Sequence, residues 1–121
     1  MARQLTILYV EDDAEVRDVV TRILSARSFR VLTASNGYEA IRVLVEHHVD
    51  VMFTDIVMPG VSGYELAAQA KLLRPFLQVL YTTGFDGNAP GREMASRYGT
   101  IIHKPIRADD LVEEIEKVFK G

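Results

Sequence analysis

Apolar periodicity in this chain switches repeatedly between two modes, and that alternation leaves few folds open. Residues 5–10 are a short apolar run, after which Val16, Val19, Val20, Ile23 and Leu24 recur at helical spacing as one stripe. Arg30–Ala34 reads as a second strand, and Ser35-Asn36-Gly37 as a turn. A helix burying Ile41, Leu44 and Val45 follows. Residues 49–55 form a third apolar run, and the next helix is predicted to bury Leu66, Ala70 and Leu73. Residues 77–83 and Thr100–His103 give two more strands, and a last helix from Asp109 or Asp110 buries Leu111, Ile115, Val118 and Phe119. Start and stop signals agree with this division. Asp13 stands at an N-cap position, Asn36 with Glu39 and Ser62 with Glu65 form capping pairs, and Pro75 closes a helix. Residues 84–99, rich in glycine, are expected as a moving loop with a short helix over 92–98.

Five strands alternating with helices call for an α/β, doubly wound parallel sheet, because parallel neighbours need crossover connections. The runs are apolar throughout rather than alternating, as strands covered on both faces must be. The C-terminal ends of such strands share one edge, where ligands of these folds bind. Residues 1–121 are expected to form one domain.

Composition excludes several classes. An apolar fraction of 48% argues against disorder, and no run approaches the roughly 18 apolar residues of a membrane span. The first residues carry no signal-peptide pattern and lead directly into a strand, so a cytoplasmic setting is expected, with no membrane partner. Without cysteine there is neither a disulfide framework nor a thiolate metal site. Net charge is −3 and the arginines are scattered; Arg17, Arg22 and Arg27 read as the solvated side of a helix. Direct nucleic-acid binding is not expected.

The chemistry lies at the strand ends. The first strand runs into Glu11-Asp12-Asp13, and the third ends on Asp55 before Ile56-Val57-Met58-Pro59-Gly60. Thr83 closes the fourth strand and Lys104 follows the fifth. Two like charges about 4 Å apart repel by roughly 4 kcal/mol at an effective dielectric of about 20. Carboxylates gathered at one rim therefore call for a cation. Oxygen ligands without cysteine or a histidine pair favour Mg2+, which keeps several waters and bridges carboxylates to phosphate. Asp55 then suits a nucleophile forming an aspartyl-phosphate, with Lys104 as a second positive contact and Thr83 as a neutral donor. A cis Lys104–Pro105 bond would aim the lysine inward. Each residue alone has a plainer reading as a cap, loop or surface group; their joint placement at four strand ends does not. His47 and His48 are read as ending the second helix.

At these residues the chain resembles the receiver domain of two-component response regulators, of the single-domain, chemotaxis-regulator-like kind. The matching pieces are Ile7-Leu8-Tyr9-Val10-Glu11-Asp12-Asp13, Asp55 through Gly60 with Gly63, Thr82-Thr83-Gly84, and His103-Lys104-Pro105. The resemblance implies a flavodoxin-like strand order 2-1-3-4-5. It implies Asp55 as phospho-acceptor from a sensor histidine kinase or histidine phosphotransfer protein. Glu11, Asp12 and Asp55 would hold Mg2+ with the Val57 backbone carbonyl, Thr83 would be the switch hydroxyl, and Lys104 would contact the phosphoryl group. Thr83 is chosen over Thr82 because it directly precedes Gly84. Receivers often carry an aromatic ring three residues before the lysine; this chain has Ile101, which puts the usual relay in doubt. Val57, two residues past Asp55, offers no polar group to orient an attacking water, so slow loss of the phosphoryl group is expected.

Output is expected as a population shift around Thr83, residues 84–99 and the fifth strand, presented to an unknown protein partner by a monomer or weak homodimer. A phosphatase of the haloacid-dehalogenase kind is the nearest rival, but it needs a second acid where Val57 stands. A dinucleotide site is opposed by Glu11-Asp12-Asp13 in place of a glycine-rich turn. A phosphate-independent scaffold would not require the acids, Thr83 and Lys104 together. Both a stand-alone regulator and a receiver excised from a hybrid kinase fit the sequence, the first being slightly favoured by the start at Met1.

Overall fold

The computed structural model describes residues 4–58, 60–83, 92–103 and 107–120. Its elements run β1 (Thr6–Val10), α1 (Ala14–Ala26), β2 (Arg30–Ala34), α2 (Gly37–Glu46), β3 (Val51–Asp55), α3 (Gly63–Leu73), β4 (Gln78–Thr83), α4 (Arg92–Ala95), β5 (Thr100–His103) and α5 (Ala108–Lys120). All neighbouring strands pair in parallel, in the order β2-β1-β3-β4-β5. The doubly wound sheet is therefore present, in the strand order implied by the resemblance.

Pleating sorts the strand residues into two cores. Leu8, Val10, Met52, Val79 and Tyr81 pack with Ala40 and Leu44 of α2, Leu66, Ala67 and Ala70 of α3, and Ala95 of α4. Ile7, Tyr9, Val51, Phe53 and Leu80 pack with Leu24 of α1 and with Leu111 and Ile115 of α5. Tyr9 and Phe53 stack with ring centroids 5.2 Å apart. β1 is buried at every position, which is why its run carries no alternation.

The helix starts follow the capping signals. The Asp13 carboxylate accepts from the backbone N–H groups of Glu15 and Val16, Asn36 accepts from Glu39, and Ser62 from Glu65. The stripes were less accurate about depth. Val16 and Val19 are exposed, as are Val45 and Leu73, which stand in the last turns of α2 and α3. Leu66 and Ala70 are buried as expected, and Ala40 and Ala67 lie against the sheet besides. The short helix before β5 is confined to Arg92–Ala95, and the Phe119 side chain and residues 84–91 lie outside the described residues. His47 caps α2, but His48 lies beyond that helix and pairs with buried Asp50 at 2.9 Å. Asp50 also accepts from the Thr6 N–H at 2.8 Å, which ties the start of β1 to the start of β3.

Candidate functional site

Because every strand is parallel, Glu11, Asp55 and Thr83 lie along one edge of the sheet. The Glu11 backbone N–H continues the ladder to Ala34 at 3.0 Å, so this residue is still held as strand. Its side chain is buried, accepting from the Asp13 N–H at 3.1 Å and the Tyr9 hydroxyl at 3.3 Å. Arg17 of α1 donates to the Glu11 carbonyl at 2.8 Å, fixing the turn between strand and helix. Asp12 is exposed beside it.

Asp55 ends β3 and is half-buried. The chain leaving it is pinned twice: the Ile56 N–H donates to the Thr82 carbonyl at 3.0 Å, and the Gly63 N–H donates to the Ile56 carbonyl at 2.7 Å. A Cβ on Gly63 would collide with the Asp55 carbonyl oxygen, so only glycine lets α3 begin this close to the end of β3. Carboxylate oxygens of Glu11, Asp12 and Asp55 all lie within 4.8 Å of one another. The acids read from the sequence as one group thus do converge, and this oxygen-only set is able to hold a metal ion.

Burial raises the Glu11 proton affinity above its ordinary value of 4.5, and the neighbouring Asp55 and Asp12 carboxylates push the same way against the Asp13 N–H bond. Burial likewise raises the Tyr9 hydroxyl, with Glu11 and Asp55 adding to it. The sign of the consequence is fixed. The fold holds the Glu11 proton more tightly than the unfolded chain does, so stability is lost as pH rises from 4.5 through the raised folded value. Melts in EDTA are expected to show wild type losing more melting temperature over that interval than Glu11→Gln. Equal losses in the two proteins would mean that Glu11 is not the strained acid.

Of the remaining site residues, Thr83 ends β4 opposite His103, but its side chain lies outside the described residues, as do Lys104 and Pro105. Val57 stands in the loop with its side chain exposed, and Ile101 is half-buried against the α2–α3–α4 core. One contact was passed over in the sequence. The Thr82 hydroxyl, not only that of Thr83, comes into question, because Thr82 donates to Asp55 Oδ1. The signal lay in the Thr82-Thr83 pair, but choosing between them requires the β3–β4 register, which sets Thr82 opposite Asp55.

This edge, with its acids at the ends of the first and third strands of a 2-1-3-4-5 sheet, defines a class. The response regulator receiver domain family matches residues 7–116, and the chain belongs to that family. It is 36% identical over 114 residues to the response regulator receiver protein CpdR of Brucella abortus, covering 93% of this chain and 95% of that protein. It is 31% identical to the positive alginate biosynthesis regulatory protein of Pseudomonas aeruginosa, covering 96% of this chain but 48% of that longer protein. Among solved structures, a CheY-like receiver domain protein from Methanospirillum hungatei superposes with a TM-score of 0.88 at 26% identity, covering 98% of this chain and 95% of the other. The chain is thus a receiver domain of the two-component kind, a phosphorylatable signalling switch. Among the described residues no helix is long and apolar enough to cross a membrane.

Proposed function

We propose that Asp55 is the phospho-acceptor of this receiver, taking its phosphoryl group from the phosphohistidine of a sensor histidine kinase or histidine phosphotransfer protein. The observation that carries this is the convergence of Glu11 and Asp12 on Asp55 within 4.8 Å at the end of β3. Glu11, Asp12, Asp55 and the Val57 carbonyl would hold Mg2+, a hard cation suited to oxygen donors and to offsetting charge on a phosphoryl group. Such a set, one member buried and its proton affinity raised by that burial and by the neighbouring carboxylates, fits a cation better than solvent alone. Thr83 and Lys104 are assigned to the phosphoryl oxygens.

The chain's own contribution is positional. The two backbone bonds beyond Asp55 hold the nucleophile at the rim, and α3 closes behind it. Phosphorylation adds roughly −1.5 to −2 charge, and the conformational shift that follows is read by a protein partner in the cytoplasm. The protein catalyses its own phosphoryl transfer and loss and turns over no other substrate. Similarity to the sensor kinase CckA of Brucella abortus, at 27% identity over 12% of that protein, keeps a kinase-borne receiver in view.

The test is treatment with acetyl phosphate or phosphoramidate and Mg2+, read by intact mass. One added phosphoryl group per chain is expected, and no gain in mass despite bound Mg2+ would defeat the reading. The exposed Val57 side chain cannot orient water. Decay of the purified phosphoprotein is therefore expected over minutes or longer, and a half-life of seconds would show that another group activates the water.

A further inference from the structure

β4 ends on two threonines, Thr82 and Thr83. Thr82 is buried, lies opposite Asp55 in the β3–β4 register, and gives its carbonyl to the Ile56 N–H at 3.0 Å. Its hydroxyl donates to Asp55 Oδ1. The backbone and the side chain of one residue therefore both hold the segment that bears the acceptor. Thr82 touches the carboxylate itself, whereas the hydroxyl assigned to the phosphoryl oxygens is that of Thr83.

We propose that Thr82 is a positioning residue that fixes the Asp55 carboxylate and shortens the life of the phosphorylated state, an inference that rests on Asp55 being the acceptor. A hydrogen bond to an ionised carboxylate is stronger than one to an uncharged carbonyl. Joining phosphorus to an Asp55 oxygen converts the carboxylate into a mixed anhydride and weakens the Thr82 bond. Loss of the group reverses this. Water adds to phosphorus, the bond between phosphorus and the Asp55 oxygen breaks, and its electron pair returns to Asp55 as a carboxylate. The proton from water leaves with inorganic phosphate or to solvent. The Thr82 hydroxyl strengthens its bond as that charge returns, so it stabilises the departing carboxylate more than the acyl phosphate. Val57 and Thr82 thus act on the same lifetime in opposite directions.

The experiment loads wild type, Thr82→Val, Thr82→Ala and Thr82→Ser with phosphoramidate and Mg2+, removes the donor, and follows decay by intact mass. The valine keeps the branched shape and loses the hydroxyl; its phosphoryl group is expected to persist about fivefold longer, the difference between a charged and a neutral hydrogen bond. The alanine variant should slow decay to a similar extent, which keeps the test readable if one variant does not fold. Serine should restore the wild-type rate, an outcome that a purely packing role for Thr82 would not give. Decay of the valine and alanine proteins at the wild-type rate, or serine decaying as slowly as valine, overturns the role of Thr82 alone. Wild type that gains no phosphoryl mass overturns the acceptor assignment, and this inference with it.

Discussion

Asp55→Asn is expected to stay at its unmodified mass under phosphoramidate and Mg2+ while wild type gains one phosphoryl group. The amide has nearly the size of the carboxylate but lacks the anionic oxygen that attacks phosphorus. Asp12 and Glu11 are not substitutes, since one is solvated and the other is buried and engaged by Asp13 and Tyr9. The same substitution has a second effect that loss of a nucleophile alone would not produce. Glu11 pays for burial beside two other carboxylates, and Asp55→Asn removes one of them. The metal-free variant is expected to gain about 1 kcal/mol of stability, the repulsion of roughly 4 kcal/mol between near-surface like charges being offset in part by solvent and by the weaker bond that Thr82 makes to an amide. Added Mg2+ should then raise the melting temperature of wild type and raise that of the variant much less. Phosphorylation of Asp55→Asn at the wild-type level would move the acceptor elsewhere. Release of phosphate from small phosphoesters by wild type would instead favour the phosphatase alternative.

The sequence made the architecture readable because fully covered parallel strands leave an unusual trace. Arg30–Ala34 and Thr100–His103 are strands over the expected residues, and Asp13, Asn36 and Ser62 cap the expected helices. A helical stripe states a period, however, not where the sheet beneath it ends. Val45 and Leu73 keep the period and still face solvent, because α2 and α3 are near their ends there. The buried residues that the stripes did not include are Ala40 and Ala67, whose small side chains permit close approach and contribute little to an apolar pattern. The acids of the site were legible for a related reason: charge at the end of an apolar run is conspicuous. The Asp50 contacts with His48 and Thr6 were not, since they join the sheet's far end through partners that no local pattern pairs. Thr82 falls between these cases, visible as a residue and assignable only from strand register.

Gly63→Ala is expected to cost about 3 kcal/mol, the upper end of the usual range for an overpacked site, and to show as a large fall in melting temperature. The sign runs against the usual helix rule, under which replacing glycine by alanine gains about 0.4–1 kcal/mol. Gly63 is the first residue of α3, and its added Cβ would lie 2.9 Å from both the Asp55 carbonyl carbon and the Ile56 Cα, besides colliding with the Asp55 carbonyl oxygen. Every one of those atoms is backbone, so no side chain can swing aside. Relief requires α3 to move away from the loop, breaking the 2.7 Å bond from the Gly63 N–H to the Ile56 carbonyl and releasing the chain just beyond the acceptor. Phosphorylation by phosphoramidate should therefore slow even at temperatures where the variant remains folded. Gly60 provides the contrast. Its φ of +82° demands glycine for conformation, but beyond its chain neighbours no atom of the described residues lies within 4 Å of a Cβ placed there. Gly60→Ala should cost only about 1–2 kcal/mol. A ranking in which Gly60→Ala is the more damaging, or in which Gly63→Ala stabilises, would mean that α3 does not brace the acceptor strand. The rigidity of Asp55 would then have to come from β4, through Thr82.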